Sequence, residues 1–494
     1  MSISSVRAFR SSVSVIRSHL GVGRNRSIHT NNTPRKIHTS RVGDDNEARM
    51  NHVLSAYPTF NLNPNESSFI DKPLGPRKGD EAILTLSGGV DSSMAAYLAL
   101  TKGGLIPHRT IFMRNWNSLD ESETFEPGAG GAEGCQWLRD WHRVEAMASW
   151  LDVKPELVDL SIPYWNSVFA PALDDWQIGR TPNPDIACNR EIKFGELLRQ
   201  IDFEGQNSNS FGRYKPRRWL VTGHYAHVDY YFPQQGSTLH GRLLRAKDSN
   251  KDQSYFLSGV SSVHLGRSHF PLANVEKDDV RAAARALGMP TAESEESMGL
   301  CFVGKRNKRQ EEQSQKSITK GKGTGPMATQ LGFAGFLGDY IDRKPGPILT
   351  LEGKQVGTHS GLHTLTIGQR ARVGGAQQKF FVAAKDVKSN GVIVVPGADH
   401  PMLQCTWLDI DDFYVVSSAT FNSTGTLYAQ IRHRQDSVAC HIEKRGNSIR
   451  VHFDQPISSV AQGQVCALYD VKNVECLGSG VINAIQTLAS SEMF

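Results

Sequence analysis

Residues 82–93 read Ala-Ile-Leu-Thr-Leu-Ser-Gly-Gly-Val-Asp-Ser-Ser, a short apolar, β-compatible run that breaks at two glycines and continues into hydroxyl and carboxylate side chains. Val90, Met94, Tyr97 and Leu98 follow at helical spacing, so the local order is strand, glycine turn, helix. Adjacent glycines permit a tight turn and bring backbone N–H groups close to an anion. The start of the helix adds partial positive charge, and Ser87, Ser92 and Ser93 add hydroxyl donors. Asp91 is placed to cap the helix or to hold a Mg²⁺. The Gly-Lys-Ser/Thr ending of a Walker loop is missing, so this is a different phosphate grip.

Outward from this loop, strand-like and helix-like segments alternate, as in an open parallel sheet. Arg109 to Met113 reads as a strand, Cys135 to Leu151 as a helix, Glu156 to Leu160 as a strand and Tyr164 to Ile178 as a helix. Trp219 to Thr222 is a further strand that runs into Gly223-His224-Tyr225. Ligands of such sheets sit beyond the carboxyl ends of strands, which brings Met113, Gly223 and His224 towards the glycine loop. From about residue 335 the pattern turns to β. Val438–Glu443 and Ser448–Phe453 alternate around Asn447 as a hairpin, and Val465 to Tyr469 and Cys476 to Ile482 continue in the same way.

The chain has 494 residues, enough for two or three domains, with 39% hydrophobic and 21% charged residues. No run approaches the roughly 18 apolar residues of a membrane span, so no membrane partner is expected. Seven cysteines without a CxxC pair exclude a disulfide scaffold and a zinc knuckle, and favour a reducing compartment. The net charge of +5 is concentrated at one end, because residues 1–43 hold seven Arg, one Lys and no acid. Taking those eight from the 55 cations leaves 47 against 50 acidic side chains, a net charge of −3. Any nucleic-acid surface is therefore a local patch. Val6, Phe9, Val13, Ile16 and Leu20 recur on one helical face, and Arg7, Arg10, Ser14 and Arg17 on another. This acid-free, Ser-rich amphipathic pattern predicts a mitochondrial presequence over 1–43 and import to the matrix; a basic tail or a nucleic-acid-binding arm is the alternative. Residues 44–80 read as a linker.

Two cysteines have unusual settings. Gly179-Arg-Thr-Pro-Asn-Pro-Asp-Ile-Ala-Cys-Asn-Arg190 is stiffened by Pro182 and Pro184, with Asp185 placed as an N-cap and a helix over Ile186 to Ile201. Cys188 then falls at the third helical position, where the helix dipole favours a thiolate. A buried structural cysteine, and an Asp185 that is a cap only, are the bland alternatives. Cys301, in Gly-Leu-Cys-Phe-Val-Gly (299–304), reads alone as a core residue. Paired with a second thiol and a nucleotide loop, it fits sulfur transfer, one thiol carrying sulfur and the other resolving it. Cys440, Cys466 and Cys476 lie in strand-like segments and read as core.

The strings SGGVDSS (87–93), FMRNW (112–116), GRTPNPDIACNREIKFGELL (179–198), TGHYAH (222–227), DSNKDQSYFL (248–257), GLCFVG (299–304), TIGQR (366–370) and RHRQ (432–435) occur together and in order. The first resembles the PP-loop of ATP pyrophosphatases, and the set resembles the tRNA-specific 2-thiouridylase family in its mitochondrial form, over roughly residues 82–485. The resemblance implies an α/β fold: a Rossmann-like PP-loop domain with a parallel sheet, then a small β-rich central domain and a C-terminal β-barrel. The corresponding boundaries are 81–304 for the catalytic domain, 305–333 for a basic insertion, 334–398 for the central domain and 399–494 for the barrel.

It further implies ATP-dependent 2-thiolation of the wobble uridine of mitochondrial tRNA. The partners would be the anticodon arm and a persulfide donor protein of a cysteine desulfurase relay, with ATP and substrate-associated Mg²⁺ as cofactors. Thr85, Leu86, Ser87, Gly88, Gly89, Val90, Asp91 and Ser92, with Met113 and Gly223, resemble the ATP site. Cys188 matches the nucleophile, with Asp185 beside it, and Cys301 the persulfide carrier. Asn183, Pro184 and Asp185 match a loop that meets the target base. Lys251, Asp252 and Gln253, Arg432 and His433, and the single positions His224 and Gln464 match tRNA contacts.

The chain departs from that pattern at 117–134, at 204–218, in the short Ala371-Arg-Val-Gly-Gly375 after TIGQR, and at 305–325, which holds seven cations and two acids. The last reads as a solvated insertion or as an RNA-binding loop. Other PP-loop enzymes, such as a lysidine synthetase or a 4-thiouridine synthetase, are runners-up, but neither needs the NPDxxCN segment. A non-catalytic RNA-binding protein on the same fold is opposed by the intact loop and both thiols.

Overall fold

The computed structural model describes residues 44–57, 74–116, 136–201, 216–234, 238–295, 337–338, 340–342, 344–371, 373–375, 378–416 and 425–489. The first helix, α1 (Asp44–Ala56), corrects the reading of 44–80 as a linker. Met50, Val53, Leu54 and Tyr57 form an i, i+3, i+4, i+7 face, and Val53 and Tyr57 are fully buried. The Tyr57 hydroxyl meets His269 Nε2 at 2.9 Å. His52 and Arg49 reach Asp279 at 2.9 and 3.5 Å.

The parallel sheet is built from β1 (Glu81–Thr85), β2 (Ile106–Arg114), β3 (Pro155–Asp159), β4 (Arg218–Val221) and β7 (Ser268–His269). Its order is β3-β2-β1-β4-β7, all parallel. The chain steps from β1 one way to β2 and β3, then returns to the other side of β1 with β4. The switch point therefore lies at the carboxyl ends of β1 and β4, where ligands of such sheets bind. The connecting helices are α2 (Val90–Thr101), α3 (Gln136–Trp150), α4 (residues 161–177) and α5 (residues 184–200). Both α4 and α5 contain a π-helical stretch, Trp165–Phe169 in α4 and Cys188–Glu196 in α5. Helix α6 (Lys277–Ala286) packs against α1 and α2.

A second sheet, β8 (Gly346–Leu349), β9 (Gln355–His359), β10 (Arg370–Ala371), β11 (Phe380–Asp386) and β12 (Gly391–Pro396), runs in the order β10-β11-β12-β8-β9 around a small core of its own. The third comprises β13 (Gln404–Val415), β14 (Leu427–Gln430), β15 (Val438–Arg445), β16 (Ser448–Ser458), β17 (Val465–Tyr469) and β18 (Glu475–Thr487). Pairing of β13 with β18 closes these six strands into a barrel. The expected hairpin is β15–β16, with Arg445 opposite Ser448.

One joint was not legible in the sequence. Strands β5 (His227–Tyr231) and β6 (His240–Leu244), which lie within residues 81–304, extend the barrel's sheet, with Cys476 opposite Leu243. The α/β domain and the barrel thus share one sheet and one hydrophobic cluster that includes Leu243, Tyr255, Tyr469 and Cys476.

Candidate functional site

The glycine loop is laced from within. The Ser92 hydroxyl accepts the Ser87 N–H at 3.1 Å, lies 3.1 Å from the Ser87 hydroxyl and reaches the Gly89 carbonyl at 3.1 Å; Ser93 Oγ also donates to Gly89 O. Thr85 Oγ1 bonds the Val221 carbonyl of β4, and the Leu86 N–H bonds Ile111 of β2, fixing the loop's root between its neighbouring strands. Gly88 takes φ +80°, and a Cβ there would stand 2.8 Å from the Asp140 carbonyl of α3. Gly223 after β4 is tighter: a Cβ would lie 2.6 Å from the Ser92 nitrogen and 2.7 Å from the Asp91 carbonyl carbon. Only glycine lets β4 end against the first turn of α2, whose leading N–H groups have no intrahelical acceptors. That geometry fits a polyphosphate held by backbone donors. Met113 stands at the end of β2, opposite Val158.

Asp91 does not cap α2, since Gly89 holds the cap position without a side-chain cap bond. Its carboxylate is gripped by Lys277 Nζ, 2.6 Å from both oxygens, and accepts the Tyr225 hydroxyl at 2.8 Å. Lys277 and Tyr225 were missed by sequence reasoning. Lys277 lies 186 residues from its partner and carries no local signal, whereas Tyr225 stands inside TGHYAH. Among the described residues no group of three His, Cys, Asp or Glu side chains is arranged to hold a metal.

Beside the loop lies α5. It starts at Pro184 with Asn183 in the cap position, so Asp185 belongs to its first turn and is not the cap that the sequence suggested. Cys188 falls in the second turn and is only 2% exposed. This corrects the expected polar first-turn setting: the dipole fades beyond the first turn, and the nearer influence on the thiol is Asn115, whose Nδ2 donates to Cys188 Sγ at 3.7 Å. Asn115 sits two residues beyond Met113 in the FMRNW string and was passed over. Cys405, Cys440 and Cys476 are fully buried, and burial pushes their thiols up to about 12; burial pushes the Cys466 thiol well up too. These four are core thiols, unsuited to nucleophilic work. Cys301 lies outside the described residues, as do 1–43 and 305–325.

His224 joins α5 to the loop. Its Nε2 lies 3.2 Å from Lys193 Nζ and its Nδ1 2.7 Å from Thr222 Oγ1, between the rings of Phe194 and Phe270. Burial first, and the Lys193 ammonium second, hold its pKa well below the usual histidine range. The imidazole is therefore neutral, accepting from Lys193 and donating to Thr222. It is almost wholly buried, at a position that the resemblance matches to a tRNA contact. Lys193, on the next turn of α5 after Cys188, ties that helix to His224, the residue after Gly223.

The other expected tRNA contacts turn inward in part. Asp252 is buried and accepts from Arg245, Ala246 N and Ser254, while Arg245 stacks 3.7 Å over Tyr469 and also bonds Gln430 and Asn473. Gln253 exchanges two hydrogen bonds with the Tyr225 backbone. Lys251 lies at the turn's surface side, partly exposed. Arg432 donates to the carbonyls of Ile367 and Ser459, and His433 meets the Asp252 carbonyl at 3.2 Å. Gln464 donates to the Thr181 carbonyl at 2.8 Å.

Its target belongs to a loop clamped from three sides. Lys385 of β11 donates to the Gly179 carbonyl at 2.8 Å. Thr181 N bonds Gln462 O, and Arg180 bonds Asn483 of β18. Asn183 hydrogen-bonds Tyr255, whose hydroxyl also donates to Val465 O. Every domain therefore holds the segment that leads into Cys188.

With this geometry in view, comparison with known proteins is informative. Residues 80–305 match the family model described as the tRNA methyl transferase HUP domain, 334–396 its PRC-barrel domain and 406–482 the aminomethyltransferase beta-barrel domain. The chain is 33% identical over 409 residues to the tRNA-specific 2-thiouridylase MnmA of Photorhabdus laumondii, covering 81% of this chain and 96% of that protein. It is 35% identical to the MnmA of Tolumonas auensis over the same shares. With that of Cupriavidus metallidurans it shares 34% identity, over 82% of this chain and 99% of the relative. The family description speaks of methyl transfer, while the relatives are thiouridylases; a glycine loop for phosphates beside a helix-borne cysteine agrees with the relatives. On the matches to all three domains and on relatives spanned almost end to end, the chain belongs to the tRNA-specific 2-thiouridylase family.

Proposed function

We propose that this protein is a tRNA sulfurtransferase that converts the wobble uridine of mitochondrial tRNAs to 2-thiouridine. The observation that carries the reading is the joining of the phosphate loop to the Cys188 helix through His224 and Lys193. The uracil 2-oxygen is a poor leaving group. ATP, accompanied by Mg²⁺ on its phosphates, adenylates it, and pyrophosphate leaves into the backbone donors after β1. The outer sulfur of a Cys301 persulfide then attacks C2. The Cys188 thiolate attacks Cys301 Sγ, and the electron pair of the broken S–S bond stays with the sulfur on C2. AMP departs as the C=S bond forms, leaving a Cys188–Cys301 disulfide that a dithiol reductant resets. The base must leave the anticodon stack to be reached.

The assay is direct: purified protein, ATP, a persulfide donor and wobble-uridine tRNA, with nucleosides read by mass spectrometry. 2-Thiouridine together with stoichiometric AMP and pyrophosphate is expected. Pyrophosphate release without thiolation would favour another PP-loop ligase, and tRNA binding without ATP turnover an RNA-binding protein. Matrix location rests on the amphipathic, acid-free residues 1–43. Loss of 1–40 should leave activity intact and abolish import, and continued import would defeat that assignment.

A further inference from the structure

An amide that touches the candidate nucleophile is only half used. Asn115 donates through Nδ2 to Cys188 Sγ at 3.7 Å, and its Oδ1 is buried with no hydrogen-bond partner among the described residues. The amide nitrogen faces the sulfur, and the carbonyl is the arm left over. Buried carbonyl oxygens are seldom left so, and each exception asks for a missing partner. The surroundings suit a base taken from its stack. Trp116 and Met113 pack on the cluster that contains Cys188, and the Trp116 ring meets Phe169, Trp165 and Tyr340 at 4.9, 6.0 and 6.4 Å. Aromatic faces are what an extruded base stacks on.

We propose that Asn115 reads the Watson–Crick edge of the target base, its Oδ1 accepting the N3–H of uracil while its Nδ2 holds the Cys188 sulfur. C2 is bonded to N3, so one amide grips both the reacting carbon's neighbour and the resolving sulfur. Cytosine carries a lone pair at N3 in place of the hydrogen and would face the Oδ1 lone pairs, so the same group rejects a wobble cytidine. The inference deepens the uridine-thiolation reading and rests on it.

The test uses the full chain, ATP, a persulfide donor and tRNA transcripts with uridine, cytidine or 3-methyluridine at the wobble position, reading tRNA-dependent pyrophosphate release and sulfur incorporation. A site built around a hydrogen bond rejects analogues lacking it by factors of order 10⁴, so the wild type should prefer uridine over both alternatives by at least about 10³ in kcat/KM. Asn115→Ala should lose most of its rate on uridine and little on 3-methyluridine, because the deleted side chain makes room for the methyl group. Its uridine preference should collapse to below about tenfold. Asn115→Asp keeps an acceptor of the same size and should retain the uridine-over-cytidine ratio. A merely structural asparagine would lower all three rates by one factor, and unchanged ratios in Asn115→Ala overturn the proposal. Loss of the ratio in a folded Asn115→Asp overturns it as well. A wild type inactive on every tRNA overturns both this inference and the reading beneath it, whereas an active wild type with unchanged ratios in the alanine variant overturns this one alone.

Discussion

Replacing Lys277 by methionine tests the anchor beneath the phosphate loop. The Lys277 side chain is 7% exposed and that of Asp91 33%, so the two halves of the pair are not equivalent. Without the lysine, Asp91 keeps the Tyr225 hydroxyl and access to water. Without the aspartate, an ammonium is left largely shut away from solvent. Breaking a buried pair costs about 3–5 kcal/mol and an exposed pair below about 1. Lys277→Met should therefore cost about 1–2 kcal/mol, and Asp91→Ala about 3. At roughly 2–4 °C per kcal/mol for a domain of this size, the lysine variant melts about 2–8 °C lower and the aspartate variant lower still. Binding of ATP should suffer more than stability. Unit charges roughly 6 Å apart repel by about 3 kcal/mol at an effective dielectric of ~20, and a bare carboxylate in the first turn of α2 opposes the phosphates to that order. Discounted for the partial exposure of Asp91, this is a ten- to hundredfold rise in the Kd for ATP, measurable by calorimetry. Adding Asp91→Asn to Lys277→Met removes the repulsion and should recover most of the lost affinity. A Lys277→Met protein with wild-type melting and an ATP affinity within twofold would refute the reasoning, as would a double variant weaker than the single.

Further outcomes follow from other contacts. Gly223→Ala drives a Cβ to 2.6 Å from the Ser92 backbone nitrogen; the loop must shift, and the KM for ATP should rise at least tenfold, whereas an unchanged KM would mean that the nucleotide binds elsewhere. Cys188→Ser and Cys301→Ser should each abolish 2-thiouridine while leaving tRNA affinity within a few-fold, and substantial thiolation by either variant removes that thiol from the chemistry. Burial holds Lys385 down to about 8, below its unfolded value of 10.5. A lysine depressed in the folded state burdens folding fully below pH 8, and the burden fades as pH rises from 8 to 10.5. The stability of Lys385→Met relative to wild type should therefore fall across that window by roughly 1–3 kcal/mol after allowing for partial exposure; a pH-independent difference in denaturant midpoints would exclude the effect.

Where sequence and structure agree, the signal was local. The glycine loop, the alternation around it and the β15–β16 hairpin each lie within a few residues of their own cause. The π-helical start at Cys188 was not legible, because a wider helical turn is set by what packs around it, and Phe194 and Ile192 are buried there. Helix α1 was legible in principle: Met50, Val53, Leu54 and Tyr57 are spaced for one face, and a polar composition hid them. Pairings across long stretches of chain were out of reach. Nothing near Leu243 tells of Cys476, nothing near Asp91 tells of Lys277, and Asn115 meets Cys188 across 73 residues. His224 shows the converse: the matching motif was recognisable, but its burial against Phe194 and Phe270 depends on tertiary packing.

The three-sided clamp on residues 179–183 has a consequence for how the protein comes into being. Phosphate loop, Cys188 and Cys301 all leave the ribosome long before Lys385, Gln464 and Asn483, the side chains that hold the loop in front of Cys188. Strand β18, made after all of those groups, both closes the barrel and carries the Asn483 contact. A nascent or truncated chain can therefore own the glycine loop and both cysteines and still lack the contacts that hold residues 179–183. The arrangement in front of Cys188 is thereby withheld until the barrel has been made and folded.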